Sequence, residues 1–473
     1  MCKRDIIILI NYDLRGIKMS DICAISTPLA EGGISVIRIS GENAVKIGAK
    51  IFKPLSCDSV EKMTGYSCAY GKIMDGEKLV DDGVITVFRS PRSYTGENVC
   101  EISCHGGIFV TKKVLRLCLK NGAELAEPGE FTKRAFINGK MSLTQAEAVM
   151  ETISAQGEYA LTSANITREG KLFKEISEVS SGLIKILGEL AAWVDYPEED
   201  LPEVEENNLR KSLEKSISVM DKILSDYDNG MIIKNGIETC IVGKPNVGKS
   251  TLMNMLLGYE RSIVTEIAGT TRDVIEEAVR IGEYILKISD TAGIRETQDK
   301  VEKMGVELAR KKIENAMLIM EVFDTSRNLD EEDYELLEYV KKLGKKSVII
   351  LNKSDLESKT DVGIFNNYSN NIVEISAKNE EGKEKIQKCI ENIFSIKDYD
   401  PDSTVFANER QKMCVEKARE NLQYGLDSLN AGETLDAVTV MIDYAENSLL
   451  ELTGEKATEA VVDEVFSKFC VGK

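Results

Sequence analysis

From residue 19 the chain alternates apolar and polar positions in short runs. Ile34 to Ile39, Val84 to Phe88 and Val99 to Ser103 each have the period of a half-buried strand. Ile108 to Lys120 switches to helical spacing, and Glu31-Gly-Gly33, Thr95-Gly-Glu97 and Pro128-Gly-Glu130 supply turns. These signs predict a compact α+β domain over residues 19–137. Residues 1–18 precede it and read either as an N-terminal extension or as the result of a misassigned start codon, Met19 being followed by a fluent domain start.

From about Lys140 the period becomes helical. Leu172, Ile176, Val179, Leu183, Ile186, Leu190 and Val194 fall on one helix face; Pro197 and Pro202 break the pattern, and Leu209, Leu213, Ile217, Met220 and Leu224 resume it up to Asn229-Gly230. Strand-like runs then alternate with helical ones: Ile285 to Ser289, Leu318 to Phe323, Ser347 to Leu351 and Ile372 to Ile375, as a mostly parallel α/β sheet requires. Beyond Pro401 the helical period returns through Leu435, Val438, Ile442, Ala445, Leu449 and Leu452, then Val462, Val465 and Phe469. Two helical blocks, 138–235 and 396–473, thus flank an α/β domain at 236–395. Each block has a long apolar stripe to bury, which predicts one discontinuous helical domain with the α/β domain inserted. Two independent bundles are the alternative.

Composition narrows the function. The 473 residues carry a formal charge of −19, so bulk attraction to nucleic acid is excluded. RNA contact would have to be local or supplied by a partner. No apolar run approaches the ~20 residues that span a bilayer. Eleven irregularly spaced cysteines read as reduced cytoplasmic thiols. His105 is the single histidine, which excludes histidine-rich metal sites and any histidine triad that omits it.

Gly243-Lys-Pro-Asn-Val-Gly-Lys-Ser250 lies between a strand-like run, Thr239 to Val242, and a helical one from Thr251. That is the setting of a phosphate-binding loop. Its backbone N–H groups would face phosphate oxygens, with the helix dipole behind them. Asn246, Val247, Gly248, Lys249, Ser250 and Thr251 form the candidate cradle. Lys249 supplies charge to the outer phosphates and the Ser250 hydroxyl can ligate Mg²⁺. Downstream, Gly269-Thr-Thr-Arg-Asp273 offers Thr270 and, for the Mg²⁺ shell, Thr271. Asp290, Thr291, Ala292 and Gly293 follow a strand; Asp290 would hold Mg²⁺ and the Gly293 N–H would sense the γ-phosphate. Asn352, Lys353 and Asp355 end another strand, where the Asp355 carboxylate can accept two hydrogens from guanine. Adenine would leave that carboxylate unpaired. Ser376, Ala377 and Lys378 end the last strand, with backbone N–H groups for the guanine oxygen. Five motifs at C-terminal strand ends point to a GTPase.

Small regulatory GTPases place a glutamine after Asp-x-x-Gly to orient water. Ile294 stands here and has no polar atom. Another group must orient the water: Glu302 first, Asp299 and Glu296 as alternatives. Transition-state charge needs either an arginine, Arg295 or Arg272, or a monovalent cation held by the Asn246 oxygen. Asn246 could instead merely cap its turn.

The chain resembles the tRNA-modification GTPases of the MnmE (TrmE) family from about Met19 to Lys473. The resemblance rests on Ser90-Pro-Arg-Ser-Tyr-Thr-Gly-Glu-Asn98 with Glu101 and His105-Gly-Gly107, on Pro128-Gly-Glu-Phe-Thr-Lys-Arg-Ala-Phe136 through Asn138-Gly-Lys140, and on Phe469-Cys-Val-Gly-Lys473. It implies a tetrahydrofolate-binding domain that dimerises, a discontinuous helical domain and an inserted G domain. It further implies potassium-stimulated hydrolysis, with Asn246, Thr265, Ile267 and Thr270 caging K⁺, Ser250 and Thr271 on Mg²⁺, and Glu302 orienting water. Arg38, Glu101, Lys140 and Lys473 match positions that contact folate, as 5,10-methylene-tetrahydrofolate. Cys470 matches the family's near-terminal cysteine: either a buried helix-end thiol or, if the C-terminus reaches the N-terminal domain, a catalytic one. The family acts at carbon 5 of the tRNA wobble uridine with an FAD-dependent partner, MnmG (GidA), which would carry most of the tRNA contact. The N-terminal extension departs from the family pattern, and Val471 stands where Ile or Leu is frequent.

Two rivals remain at this stage. A ribosome-assembly GTPase of the Era or Der type would show a basic RNA-binding appendage, which this acidic chain lacks. A folate-dependent one-carbon transferase with a regulatory G domain would need no flavin partner.

Overall fold

In the computed structural model, the described residues are 19–155, 157–195, 206–225, 227, 230–232, 236–258, 277–282, 284–289, 313–394 and 408–473. The N-terminal region is built from β1 (Ile22–Ile25), β2 (Ile34–Ser40), α1 (Ala44–Ile51), β3 (Phe52–Pro54), β4 (Ser67–Asp75), β5 (Lys78–Phe88), β6 (Val99–His105), α2 (Ile108–Lys120), β7 (Glu124–Leu125) and α3 (Glu130–Ile137). The strands form one sheet in the order β3-β4-β5-β6-β2-β1-β7. All neighbours are antiparallel except β1 and β7. Strand alternation decides what faces the core. Ile37, Ile39, Ile85, Val87 and Ile102 pack with Val114 and Leu117 of α2. The intervening residues, Arg38 and Glu101 among them, face the other way and lie directly opposite each other.

The helical blocks begin with α4 (Leu143–Ser154), α5 (Glu158–Arg168), α6 (Lys171–Asp195) and α7 (Glu206–Ser225). The inserted region follows: β8 (Ile237–Val242), α8 (Lys249–Leu257), β9 (Glu277–Ile281), β10 (Tyr284–Ser289), β11 (Leu318–Asp324), α9 (Glu331–Leu343), β12 (Ser347–Asn352), β13 (Ile372–Glu374) and α10 (Lys383–Phe394). Its sheet runs β13-β12-β11-β8-β10-β9, parallel throughout except for the β9–β10 hairpin at one edge. The chain closes with α11 (Glu409–Ala431), α12 (Leu435–Thr453) and α13 (Glu459–Ser467).

Two compact units result. One joins the N-terminal region to Ile166–Leu224 and Ala407–Lys473; the other comprises Ser154–Asn165 and Ser225–Phe406. Helices from both blocks, α4, α6 and α7 of the first and α11 to α13 of the second, therefore fall essentially in one unit, as a discontinuous helical domain requires, whereas most of α5 goes with the inserted region. Leu143 and Ala146 of α4 share a core with Val462, Val465 and Phe466 of α13. Glu147 of α4 accepts from Asn408 at 2.7 Å, and Arg410 of α11 ion-pairs with it at 2.9 Å. Removing one member of so buried a pair is costly, because the other charge is left uncompensated. The fold is the expected one: an α+β N-terminal domain, a discontinuous helical domain and an inserted α/β P-loop domain.

Candidate functional site

At the C-terminal edge of the inserted sheet, β8 delivers the chain into Gly243 and α8 starts at Lys249. Gly248 closes the loop with φ +101°, and a Cβ there would lie 2.2 Å from the Asn352 side-chain nitrogen. Only glycine lets the two loops approach that closely. Lys249 Nζ donates to the Gly243 and Lys244 carbonyls at 2.7 and 2.8 Å. Its charge is thus held over the loop that would cradle phosphate. Ser250 and Thr251 are exposed in the first turn of α8, where the dipole is positive. Asn246 is exposed with φ +67°. Among the described residues its side chain has no hydrogen-bond partner, so it does not cap the turn, and its oxygen is open to a cation.

Asn352 fixes the neighbouring loops. Its Nδ2 donates to the Val247 carbonyl at 2.8 Å and its Oδ1 accepts from the Ala377 N–H at 3.0 Å. Three of the sequence motifs are therefore locked through one amide. The Asp355 carboxylate is exposed and accepts from the Ser376 hydroxyl at 2.6 Å. That bond holds its pKa below the ordinary carboxylate range, so it stays ionised as an acceptor for a base edge. Lys378 is exposed beside it. Thr265, Ile267, Thr270, Thr271, Asp290, Thr291, Ala292, Gly293 and Glu302 lie outside the described residues, as do Arg272, Ile294, Arg295, Glu296 and Asp299.

A second cluster sits in the other unit. Val471 bridges to Pro128, the Gly129 N–H donates to the Cys470 carbonyl, and the Phe131 N–H donates to the Lys473 carbonyl at 3.2 Å. The C-terminus thus reaches the N-terminal domain, which was the condition for a functional Cys470. Arg38 stands at the centre. Its Nε donates to Glu101 at 2.8 Å, its Nη1 donates to the Gly472 carbonyl at 3.3 Å, and its guanidinium lies over the rings of Tyr94 and Phe131. Burial, then the positive charges of Arg38 and Arg168, push the Lys473 pKa below the ordinary lysine range. Cys470 is half-buried, and its carbonyl accepts from the Lys473 N–H at 3.3 Å. Lys140 bonds elsewhere, to the Pro91 carbonyl at 3.1 Å. Arg38, Glu101, Cys470 and Lys473 are brought together, whereas Lys140 is tied to a neighbouring loop. The cluster offers two cations, one carboxylate and aromatic faces, a chemistry suited to a flat heterocycle bearing carboxylates.

Sequence reading missed Arg168 here and Asp324 in the inserted domain. Arg168 carries no motif. Asp324 ends an otherwise apolar strand, which is a signal in itself.

Residues 143–470 match the family described as "MnmE helical domain", and residues 21–140 match "GTP-binding protein TrmE N-terminus". A protein of Carboxydothermus hydrogenoformans named "tRNA modification GTPase MnmE" is 42% identical over 461 residues, 96% of this chain and 99% of its own. The protein of that name from Clostridioides difficile is 42% identical over 457 residues, with the same coverage. Among solved structures, Era in complex with MgGDPNP and 16S ribosomal RNA is 31% identical over 33% of this chain and 55% of that chain, with a TM-score of 0.25.

Proposed function

This chain belongs to the MnmE family of tRNA-modification GTPases, and from that membership we propose a potassium-dependent GTPase that works with an FAD-dependent partner on the tRNA wobble uridine. That it hydrolyses GTP in tRNA modification is the family's activity. The finer reading concerns the cation, the one-carbon source and the partner.

The observation that carries the cation is Asn246: exposed, left-handed and, among the described residues, without a side-chain hydrogen bond inside a phosphate-binding loop. Its oxygen, with Thr265, Ile267 and Thr270, would hold K⁺ beside the phosphates. K⁺ there supplies the positive charge that an arginine supplies in other GTPases. Ser250 and Thr271 would hold Mg²⁺, and Glu302 would orient the attacking water in place of the missing glutamine. Lys249 holds the outer phosphates, and Asp355, with the N–H groups of Ser376–Lys378, reads guanine.

Folate belongs to the other cluster. Arg38 and Lys473 would pair with its carboxylates, Glu101 with its ring nitrogens, and Lys140 would join from the adjoining loop. Cys470 lies at the same place. The one-carbon unit of methylene-tetrahydrofolate would pass to carbon 5 of the uridine, with the flavoprotein MnmG completing the chemistry. The net charge of −19 supports leaving most tRNA contact to that partner. A homodimer through the N-terminal domain completes the assembly.

The test is GTP turnover in potassium and in sodium buffers. Wild type is expected to turn over faster in potassium, and Asn246→Ala to lose the difference. Glu302→Ala is expected to keep GTP affinity while turnover falls by ~10²–10⁴, the scale of a lost positioned base. If Asn246→Ala keeps the wild-type ratio of rates, the cation reading is wrong.

A further inference from the structure

Asp324 belongs to none of the nucleotide motifs, yet it holds one of them in place. β11 and β12 run parallel with Asp324 opposite Asn352, so the last residues of the two strands are neighbours. After Asn352 the chain turns sharply, with Lys353 at φ +67°. The lysine side chain folds back, and its Nζ meets Asp324 Oδ2 at 2.6 Å. The other carboxylate oxygen accepts from the Ser326 N–H at 2.9 Å and its hydroxyl at 2.6 Å. Between them, the Thr325 N–H and hydroxyl both donate to the Asn352 carbonyl, at 3.2 and 3.1 Å. Asp324 is 7% exposed, so the ion pair is set into the protein rather than hung on its surface.

The turn Asp324–Ser326 therefore grips the recognition loop twice, by its backbone at Asn352 and by its side chain at Lys353. Lys353 stands between Asn352, which locks the phosphate loop, and Asp355, which faces the base edge. A lysine anchored at both ends presents four methylenes as a fixed apolar wall; a free one must be ordered each time a ligand binds. A purine face needs such a wall. We propose that Asp324 is a positioning residue for guanine nucleotides, holding Lys353 by its ammonium so that the stem is set before the base arrives. The inference rests on the reading that the Asn352–Asp355 loop takes the base.

The experiment uses the full chain, with fluorescent GDP for affinity, GTP for turnover and ATP as the nucleotide with the wrong base. Asp324→Asn keeps the size of the side chain and removes its charge. Its GDP dissociation constant and GTP KM are expected to rise about tenfold, the scale of one side chain ordered on binding. The kcat is expected to stay within about twofold, and the weak affinity for ATP to fall by the same factor, because the wall meets either purine face. The preference for GTP over ATP, which Asp355 sets, then stays as it was. Lys353→Met keeps the stem and frees its end; it should cost about as much, and adding Asp324→Asn to it should cost nothing more. The proposal is overturned if Asp324→Asn leaves GDP affinity unchanged, weakens GDP while leaving ATP as it was, or costs as much in the Lys353→Met background. A wild type without guanine preference would instead refute the underlying assignment of the loop.

Discussion

Glu321 is a carboxylic acid in the middle of β11, a strand whose seven residues are all buried. Ser347 is its hydrogen-bond partner, and among the described residues its Oε2 has none. Burial pushes its pKa up to about 8, so in the folded protein it is largely protonated at neutral pH. In the unfolded chain the same group ionises near its ordinary value of about 4.3. Between those two values the folded state binds more protons than the unfolded one, so stability falls as pH rises and levels off above pH 8. Glu321→Gln removes that slope. It should stabilise the inserted domain, by more at pH 8.5 than at pH 6, with a ceiling on the order of 5 kcal/mol at the higher pH. Thermal unfolding of both proteins at the two pH values measures it. An equal gap at both would mean that Glu321 does not titrate as its burial demands.

The C-terminal tail is the element that brings the second cluster together, and Gly472 is its hinge point. Its φ is +96°, and a Cβ there would lie 2.4 Å from the Ile25 carbonyl oxygen. Its own carbonyl accepts from Ser26 and Arg38. Gly472→Ala should therefore lift the tail from β1 and β2 and release Arg38. Folate affinity is expected to fall about tenfold, the effect of a few lost polar contacts, while folate-free GTP turnover stays at the wild-type rate. Unchanged folate affinity would separate the tail from the cluster. Little of this docking was legible beforehand, because the tail's partners lie more than 300 positions away. Elements with strong internal patterns were legible: β2, α2 and α6 follow the predicted runs closely. β4 was not, because its inward positions Ala69 and Gly71 are small and carry little hydrophobic signal. At Gly71 a Cβ would meet the Lys53 carbonyl oxygen at 2.3 Å. α11 escaped for a similar reason. Its buried face mixes Ala418 and Gly425 with Gln411, a polar residue satisfied by distant Glu147. The nucleotide loops could be read because their chemistry is local; the Asp324–Lys353 pair could not, because it joins two strands.

At the scale of the whole molecule the inserted domain occupies the loop of a helix pair. Asp221 of α7 meets Arg419 of α11 at 2.9 Å, and Arg210 meets Asn430 at 2.9 Å. The partner numbers fall as the chain rises, so the two helices run antiparallel and the ends that lead to the insert are neighbours. Other ties of this unit run within it. α4 and α13 share their own core, and Ser180 of α6 donates to Glu446 of α12 at 2.6 Å. Loop closure is weakly sensitive to length, about 0.6 kcal/mol per doubling. Replacing residues 226–406 by a short Gly/Ser linker should therefore leave a protein that unfolds in one cooperative transition. Tyr159 and Ala160 pack with the insert and would lose their partners, so α5 should fray at its start. The shortened chain is expected to bind folate as the full chain does and to hydrolyse no GTP. Calorimetry and folate titration decide the matter. A chain that lacks a cooperative transition would mean that the insert holds the helical pair together rather than merely interrupting it.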